Sequence, residues 1–188
     1  MKRHLAIFLR APELGRGKRR LARDIGDLAA LRFQRAQMAR LRPLVRDRRW
    51  SATLWVTPDR AALRLGRPQG RGDLGQRMAR PFRRLPPGPV VLIGADIPEL
   101  NAGHVWAAFR ALGGSEAVFG PATDGGYWLV GLSPRARRRP PFRGVAWSTE
   151  HALADTLRQL NGAKVAQLAP LSDIDTGADF RAWKERAR

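Results

Sequence analysis

The stretch from Val90 to Pro98, Val-Val-Leu-Ile-Gly-Ala-Asp-Ile-Pro, constrains this chain more than any other. It opens with consecutive apolar residues rich in β-branched side chains. Such a run suits a strand buried on both faces, the usual central strand of an α/β sheet. Gly94 permits a tight backbone approach, and Pro98 ends strand pairing. Asp96 therefore falls just past the carboxyl end of a central strand, the edge at which open α/β sheets bind ligands. The competing reading is that Asp96 only caps the turn that follows, a common use of Asp.

A chain of 188 residues suits one domain with a sizeable core, and neither an internal repeat nor a domain boundary is visible in it. With no cysteine, disulfides, thiolate metal sites and cysteine nucleophiles are excluded. Met1 to Arg10 lacks the apolar length and cleavage site of a signal peptide, and no apolar run reaches the length of a membrane span. A cytoplasmic location is expected. The net charge of +19 raises the possibility of a nucleic-acid partner. Against it, the charge is nearly all Arg, is spread over several segments, and has no interleaved aromatics. Unspecific polyanion binding is the expected consequence.

His4 to Leu9 reads as the first strand. Arg10 to Leu21 follows as a Pro- and Gly-marked loop running into a helix, with Arg16, Lys18, Arg19 and Arg20 near the helix start. Loop N–H groups and cations together suit a phosphate; the alternative is a solvated basic loop. Leu21 and Ile25 begin a helical stripe. Gly26-Asp27 is positioned to break or re-cap it, and Leu28, Leu31, Met38 and Leu41 carry it on as expected core residues. Ser51 to Thr57 is the second strand, and Asp59 to Leu65 a short helix. In the loop from Pro68 to Met78, Gln69 and Arg77 are candidate pocket contacts and Asp73 a candidate helix cap. Asn101 is a candidate cap of the next helix, on which His104 has no partner at ligand spacing.

The second informative stretch is Glu116 to Leu132. Asp124-Gly125-Gly126 there joins two short apolar strands, as Asp-Gly does in hairpins. Several glycines and the only tyrosine, Tyr127, surround one carboxylate. Gly125 and Gly126 would let a ligand come close to the backbone. Ser133 to Gly144, with Arg135, Arg137, Arg138 and Arg139, reads as an exposed mobile loop. Trp147-Ser-Thr149 opens a helix, and Lys164 to Leu168 is an edge strand. In Asp173-Ile-Asp175-Thr176, Thr176 and Asp179 have the spacing of a variant capping box, leaving Asp175 either a ligand-site carboxylate or part of the cap.

These landmarks, in this order, resemble the DUF2064 group of small bacterial proteins, often labelled rSAM/selenodomain-associated glycosyltransferases. The resemblance covers nearly the whole chain. It rests on Arg10, Pro12, Gly15, Lys18, Arg20 and Leu21 in the first loop, on Gly72 to Met78, Gly94 to Pro98 and Gly120 to Tyr127, and on Trp147 to Thr149 and Asp173 to Thr176. Arg10 stands where the family pattern has lysine, Gly17 where it has valine, and Arg19 where it has threonine. The last change removes a hydroxyl from the loop.

The resemblance implies a GT-A-like, nucleotide-diphosphosugar-transferase fold over residues 1–188: an α/β three-layer αβα sandwich with a mixed, mostly parallel sheet. It implies a nucleotide over the first loop, with Pro12, Gly15, Lys18, Arg20, Gln69, Asp73 and Arg77 as binding residues. Asp96 and Asp175 would hold Mg²⁺ or Mn²⁺. Asp124 would be the catalytic carboxylate, as a second metal ligand or as the general base that deprotonates an acceptor hydroxyl, and Gly125, Gly126, Tyr127 and Trp147 would line the substrate pocket. The expected activity is metal-dependent transfer of a sugar from a nucleotide sugar to a small-molecule or glycan acceptor. Its alternatives are a guanylyltransferase-like nucleotidyltransferase that uses a nucleoside triphosphate and releases pyrophosphate, and a non-enzymatic basic protein that binds nucleic acid.

Overall fold

A computed structural model describes residues 1–186. The strands are β1 (His4–Arg10), β2 (Ser51–Thr57), β3 (Arg67–Pro68), β4 (Val90–Gly94), β5 (Ala117–Pro121), β6 (Tyr127–Leu132) and β7 (Val165–Gln167). They form one sheet in the order β3-β2-β1-β4-β6-β5-β7. Only β6 runs against its neighbours; every other pairing is parallel. The helices are α1 (Arg19–Ile25), α2 (Asp27–Arg40), α3 (Arg42–Arg46), α4 (Asp59–Leu65), α5 (Leu74–Arg84), α6 (Ala102–Ala111), α7 (Ala152–Arg158) and α8 (Gly177–Arg186).

The strand period of two sorts β1 into both cores. Leu5, Ile7 and Leu9 pack on one face with Leu44 of α3, Ala62 of α4 and Val105 and Phe109 of α6. Ala6 and Phe8 pack on the other with Met78 and Phe82 of α5, and Leu153 and Leu157 of α7 lie against that cluster. Val90 to Ile93 of β4 are all buried, as a central strand covered on both sides requires. The result is the α/β three-layer sandwich with a mostly parallel sheet. A third cluster joins Leu21, Ala30, Phe33 and Ile174, with Phe180 and Trp183 of α8 packed edgewise on Phe33.

The topology decides what meets at one rim. β1, β4, β5 and β7 all run the same way, so the segments that leave their carboxyl ends gather at one sheet edge. These are the loop to α1, the turn holding Asp96, the β5–β6 hairpin holding Asp124, and the segment holding Asp173 and Asp175. Leu171 bridges to Ala122, which ties that last segment to the hairpin.

Three expectations need correction. Leu28 is 55% exposed, because Gly26, at φ +85°, ends α1 and leaves Leu28 in the first turn of α2, off its inward face; Leu31 and Leu41 are buried as expected, and Ala30, Phe33 and Gln37 turn inward beside them. Arg137 is buried. Its guanidinium donates to the carbonyls of Phe82, Leu85, Pro86 and Gly88, so the Arg-rich loop is clamped to the end of α5. Trp147 to Thr149 form turns, and α7 starts only at Ala152. The strand β3 had no signal at all, since two residues containing a Pro carry no periodicity. No helix among the described residues is long and apolar enough to cross a membrane.

Candidate functional site

Lys18 is the hub of the rim. Its side chain is 7% exposed. Nζ lies 2.9 Å from Asp175 Oδ1 and 3.3 Å from Asp96 Oδ2. The backbone puts it there. Gly17 and Lys18 both adopt positive φ, +72° and +41°, which turns the loop back under itself before α1 begins. A lysine in the left-handed region is uncommon and marks a position held by its surroundings. Burial works against the ammonium, but Asp96 and Asp175 together hold it above the ordinary lysine range.

The carboxylate of Asp175 is thus free of the cap. The cap itself is Thr176 with Asp179: Thr176 N and Oγ1 donate to Asp179 Oδ2, and Asp179 N donates back to Thr176 Oγ1. Between Asp173 and Asp175, Ile174 is 2% exposed and inserts among α1, α2 and α8. Asp173 belongs to the same cluster. Burial, then the charge of Asp175, outweigh Lys18 and push its carboxyl up to about 6, with Asp124 and Asp96 adding to the rise. Four carboxylates from three segments therefore share one field with one ammonium.

Two cavities open on this cluster, and Asp96 lines both. The first, about 260 Å³, is bounded by Arg10, Gly17, Lys18, Arg19, Arg20, Gln34, Gln37 and Asp175, with Leu9, Met38 and Ala95 as its apolar part. The second, about 350 Å³, is bounded by Asp124, Asp173, Gly94, Gly126, Tyr127, Trp128 and Trp147, with Leu74 and Met78 of α5. Nothing stands over Gly94, so the backbone past β4 faces open space. Asp124 Oδ1 accepts from Gly126 N at 2.9 Å, which holds the hairpin tip. Tyr127 packs edge-on to Phe119 and Trp147, and burial raises its phenol above the ordinary range, so it stays neutral as a wall of the cavity.

Of the residues singled out in the sequence, Lys18, Arg20, Asp96 and Asp175 meet at the first cavity, and Asp96, Asp124, Gly126, Tyr127 and Trp147 at the second. Pro12 and Gly15 shape the loop without lining either cavity. The loop is closed by a Glu13–Arg16 bridge and by the pairing of Arg60 with Glu13. Gln69, Asp73 and Arg77 stand apart from both cavities. Gln69 is 3% exposed; its amide donates to Leu9 and Trp55 carbonyls and accepts from Arg77. Asp73 caps α5 in a capping box with Gln76.

The space over Gly125, at φ +84°, is filled by the backbone of Glu150, so the close approach there is made by the chain itself. Gln34 and Gln37 were not among the sequence candidates, and Arg10 and Asp173 entered only as residues of the family pattern, without a role. Asp173 had a usable signal: in an extended Asp-Ile-Asp segment with the Ile buried, both carboxylates are turned away from that core.

Among the described residues no group of three or more His, Asp or Glu side chains is arranged as a ready metal cage. Asp96 and Asp175 nonetheless fit a hard cation. Both carboxylates reach the same ammonium, and both line the first cavity, where a phosphate would complete the shell. Mg²⁺ is commonly held by one or two carboxylates, with water and substrate phosphate completing its shell.

The fold and rim define a nucleotide-diphospho-sugar-transferase-like architecture. A candidate nucleotide-diphospho-sugar transferase from Desulfovibrio desulfuricans superposes with a TM-score of 0.91 at 26% identity, over 100% of this chain and 89% of that one. A 4-diphosphocytidyl-2C-methyl-D-erythritol synthase from Anaerococcus prevotii matches at TM-score 0.63 and 11% identity, over 100% and 99% of the two chains. The inositol-1-phosphate CTP transferase from T. maritima matches at 0.59 and 10%, over 99% and 95%. At that identity the last two speak to the fold alone. Residues 40–149 match the family model described as an uncharacterized protein conserved in bacteria, DUF2064, and the chain belongs to that family. No curated protein matches it.

Proposed function

We propose that this protein is a transferase acting on a nucleotide-linked substrate, and that it is a metal-dependent glycosyltransferase. The observation that carries the reading is the meeting of Lys18 and Asp175, in a cationic cavity, with Asp96, which lines both that cavity and a carboxylate-lined, aromatic one. The diphosphate of a nucleotide sugar belongs against Lys18, Arg19 and Arg20, and the acceptor belongs in the cavity of Asp124, Tyr127 and Trp147. The name borne by the Desulfovibrio protein agrees with this choice.

In the step proposed, Asp124 takes the proton of an acceptor hydroxyl. The acceptor oxygen bonds to the anomeric carbon as the bond from that carbon to the phosphate oxygen breaks. The electron pair leaves with the nucleoside diphosphate, where the loop cations offset its charge. Mg²⁺ or Mn²⁺ held by Asp96 and Asp175 would neutralise diphosphate charge in the same place.

Nucleotidyl transfer is the second reading. The first cavity gathers Arg10, Lys18, Arg19 and Arg20 against Asp96 and Asp175, a net positive lining that suits a polyphosphate, and two of the matching folds carry names of cytidylyl or CTP transfer. The products separate the two. Incubation with a panel of nucleotide sugars and nucleoside triphosphates, with Mg²⁺ or Mn²⁺, should release nucleoside diphosphate from the former. Pyrophosphate release from a triphosphate would favour the second reading, and no turnover of either class by a folded, metal-supplied protein would overturn both.

A further inference from the structure

A third cavity, of about 320 Å³, lies where α2 gives way to α3 over the sheet. Its floor is aliphatic: Leu54 of β2, Met38 of α2, Leu41 between the two helices and Val45 of α3. Val45 is 43% exposed, one of the few large apolar side chains left in water among the described residues. The rim is cationic, with Arg35 from α2 and Arg42 and Arg46 from α3. No carboxylate lines the cavity, and among the described residues none of the three arginines is paired with one.

Unpaired arginines are common in a chain of net charge +19. These three are particular in what they surround. Arg42 and Arg46 stand one turn apart on α3, so they repel each other, and an acid between them would turn that repulsion into charge-assisted hydrogen bonds. Apart from the guanidinium groups, the lining side chains carry no hydrogen-bond donor and no strong acceptor. A nucleobase or a peptide would therefore leave its own N–H and C=O groups unanswered on this floor. A second copy of the chain would bring the same arginines against these. An alkyl chain asks only for contact, and an acid at its end meets the rim. The volume is at the small end for ligand cavities, which suits one chain rather than two.

We propose that the third cavity binds a single-chain amphiphile with an anionic head, of which a medium-chain fatty carboxylate is the simplest case. The chain lies on Met38, Leu41, Val45 and Leu54, and the carboxylate sits among Arg35, Arg42 and Arg46. The site stands apart from the nucleotide reading: only Leu9 and Met38 line both this cavity and the first.

Calorimetric titration of the whole chain with hexanoate, octanoate and decanoate, each kept below its micellar concentration, tests the proposal. Each added methylene should tighten binding about fourfold, as expected for one CH₂ leaving water. Decanol should bind at least tenfold more weakly than decanoate, and decyltrimethylammonium should not bind. Val45→Glu puts a carboxylate on the floor and should weaken decanoate tenfold or more. The double variant Arg42→Gln, Arg46→Gln should bring decanoate down to the affinity of decanol and leave decanol unchanged; it serves if Val45→Glu fails to fold. An affinity independent of chain length would mean bare charge attraction, as in unspecific polyanion binding, and would overturn the proposal. So would the absence of saturable decanoate binding, or undiminished binding by the variants.

Discussion

Gly125→Ala separates two accounts of the Asp124 hairpin. In the sequence, Gly125 reads as room for a ligand; in the structure its room is taken by Glu150. A methyl at Gly125 would lie 2.6 Å from Glu150 Cα and closer still to the Glu150 carbonyl oxygen. Those are backbone atoms, held in turn by the bond from Leu153 N to Gly125 O. The residue also sits at φ +84°. Left-handed backbone costs an L-residue about 1–2 kcal/mol, and forcing a methyl into filled space costs about 1–3 kcal/mol more. The expected loss is about 2–5 kcal/mol, measured by urea unfolding. For a chain of this size that corresponds to a fall in Tm of about 5–15 °C. Turnover should fall as well, because the Asp124 turn must move away from α7. A variant within about 0.5 kcal/mol of wild type that had lost ligand affinity would refute the packing argument and restore the ligand reading.

Other consequences follow from single groups. Arg137→Ala strips four backbone carbonyls of their donor and should cost about 3 kcal/mol in urea unfolding, while leaving metal and nucleotide binding unchanged. Asp173, pushed up to about 6, keeps in the folded state a proton that the unfolded chain releases near 3.8. Its contribution to stability therefore declines as pH rises through that window. Carboxyl NMR titration of metal-free protein should find this midpoint near 6, and Mg²⁺ should move it down. Lys18→Met removes the cation shared by Asp96 and Asp175, so Asp173 should titrate higher still and pyrophosphate affinity should fall about tenfold, roughly 1.4 kcal/mol. Unchanged pyrophosphate affinity would remove Lys18 from the phosphate site.

Much of the fold is legible because local signals and global position agree. Val90 to Ile93 are apolar on both faces because both faces of β4 are covered, and the Asp-Gly turn joins β5 to β6 as such turns do. The site was less legible, for reasons of distance. Gln69 and Arg77 carry groups suited to a ligand, but nothing in their neighbourhood in sequence reveals that Leu9 and Trp55 carbonyls use the amide of Gln69. Arg137 sits in a stretch with the composition of a solvated loop. Its four acceptors lie about fifty residues away, where α5 ends. Gln37 is invisible for the opposite reason: a glutamine on a helix is ordinary, and only its burial beside a cavity makes it unusual.

The most direct measurement compares wild type and Asp96→Asn by thermal shift against a panel of nucleotide sugars and nucleoside triphosphates, with and without Mn²⁺. Asp96 is 59% exposed at the common wall of the two cavities but also pairs with the nearly buried Lys18, so each shift is read against the ligand-free melting temperature of the same protein. The account predicts a stabilisation of the wild type that needs nucleotide and Mn²⁺ together, and its loss in Asp96→Asn. An equal stabilisation of the variant would contradict it.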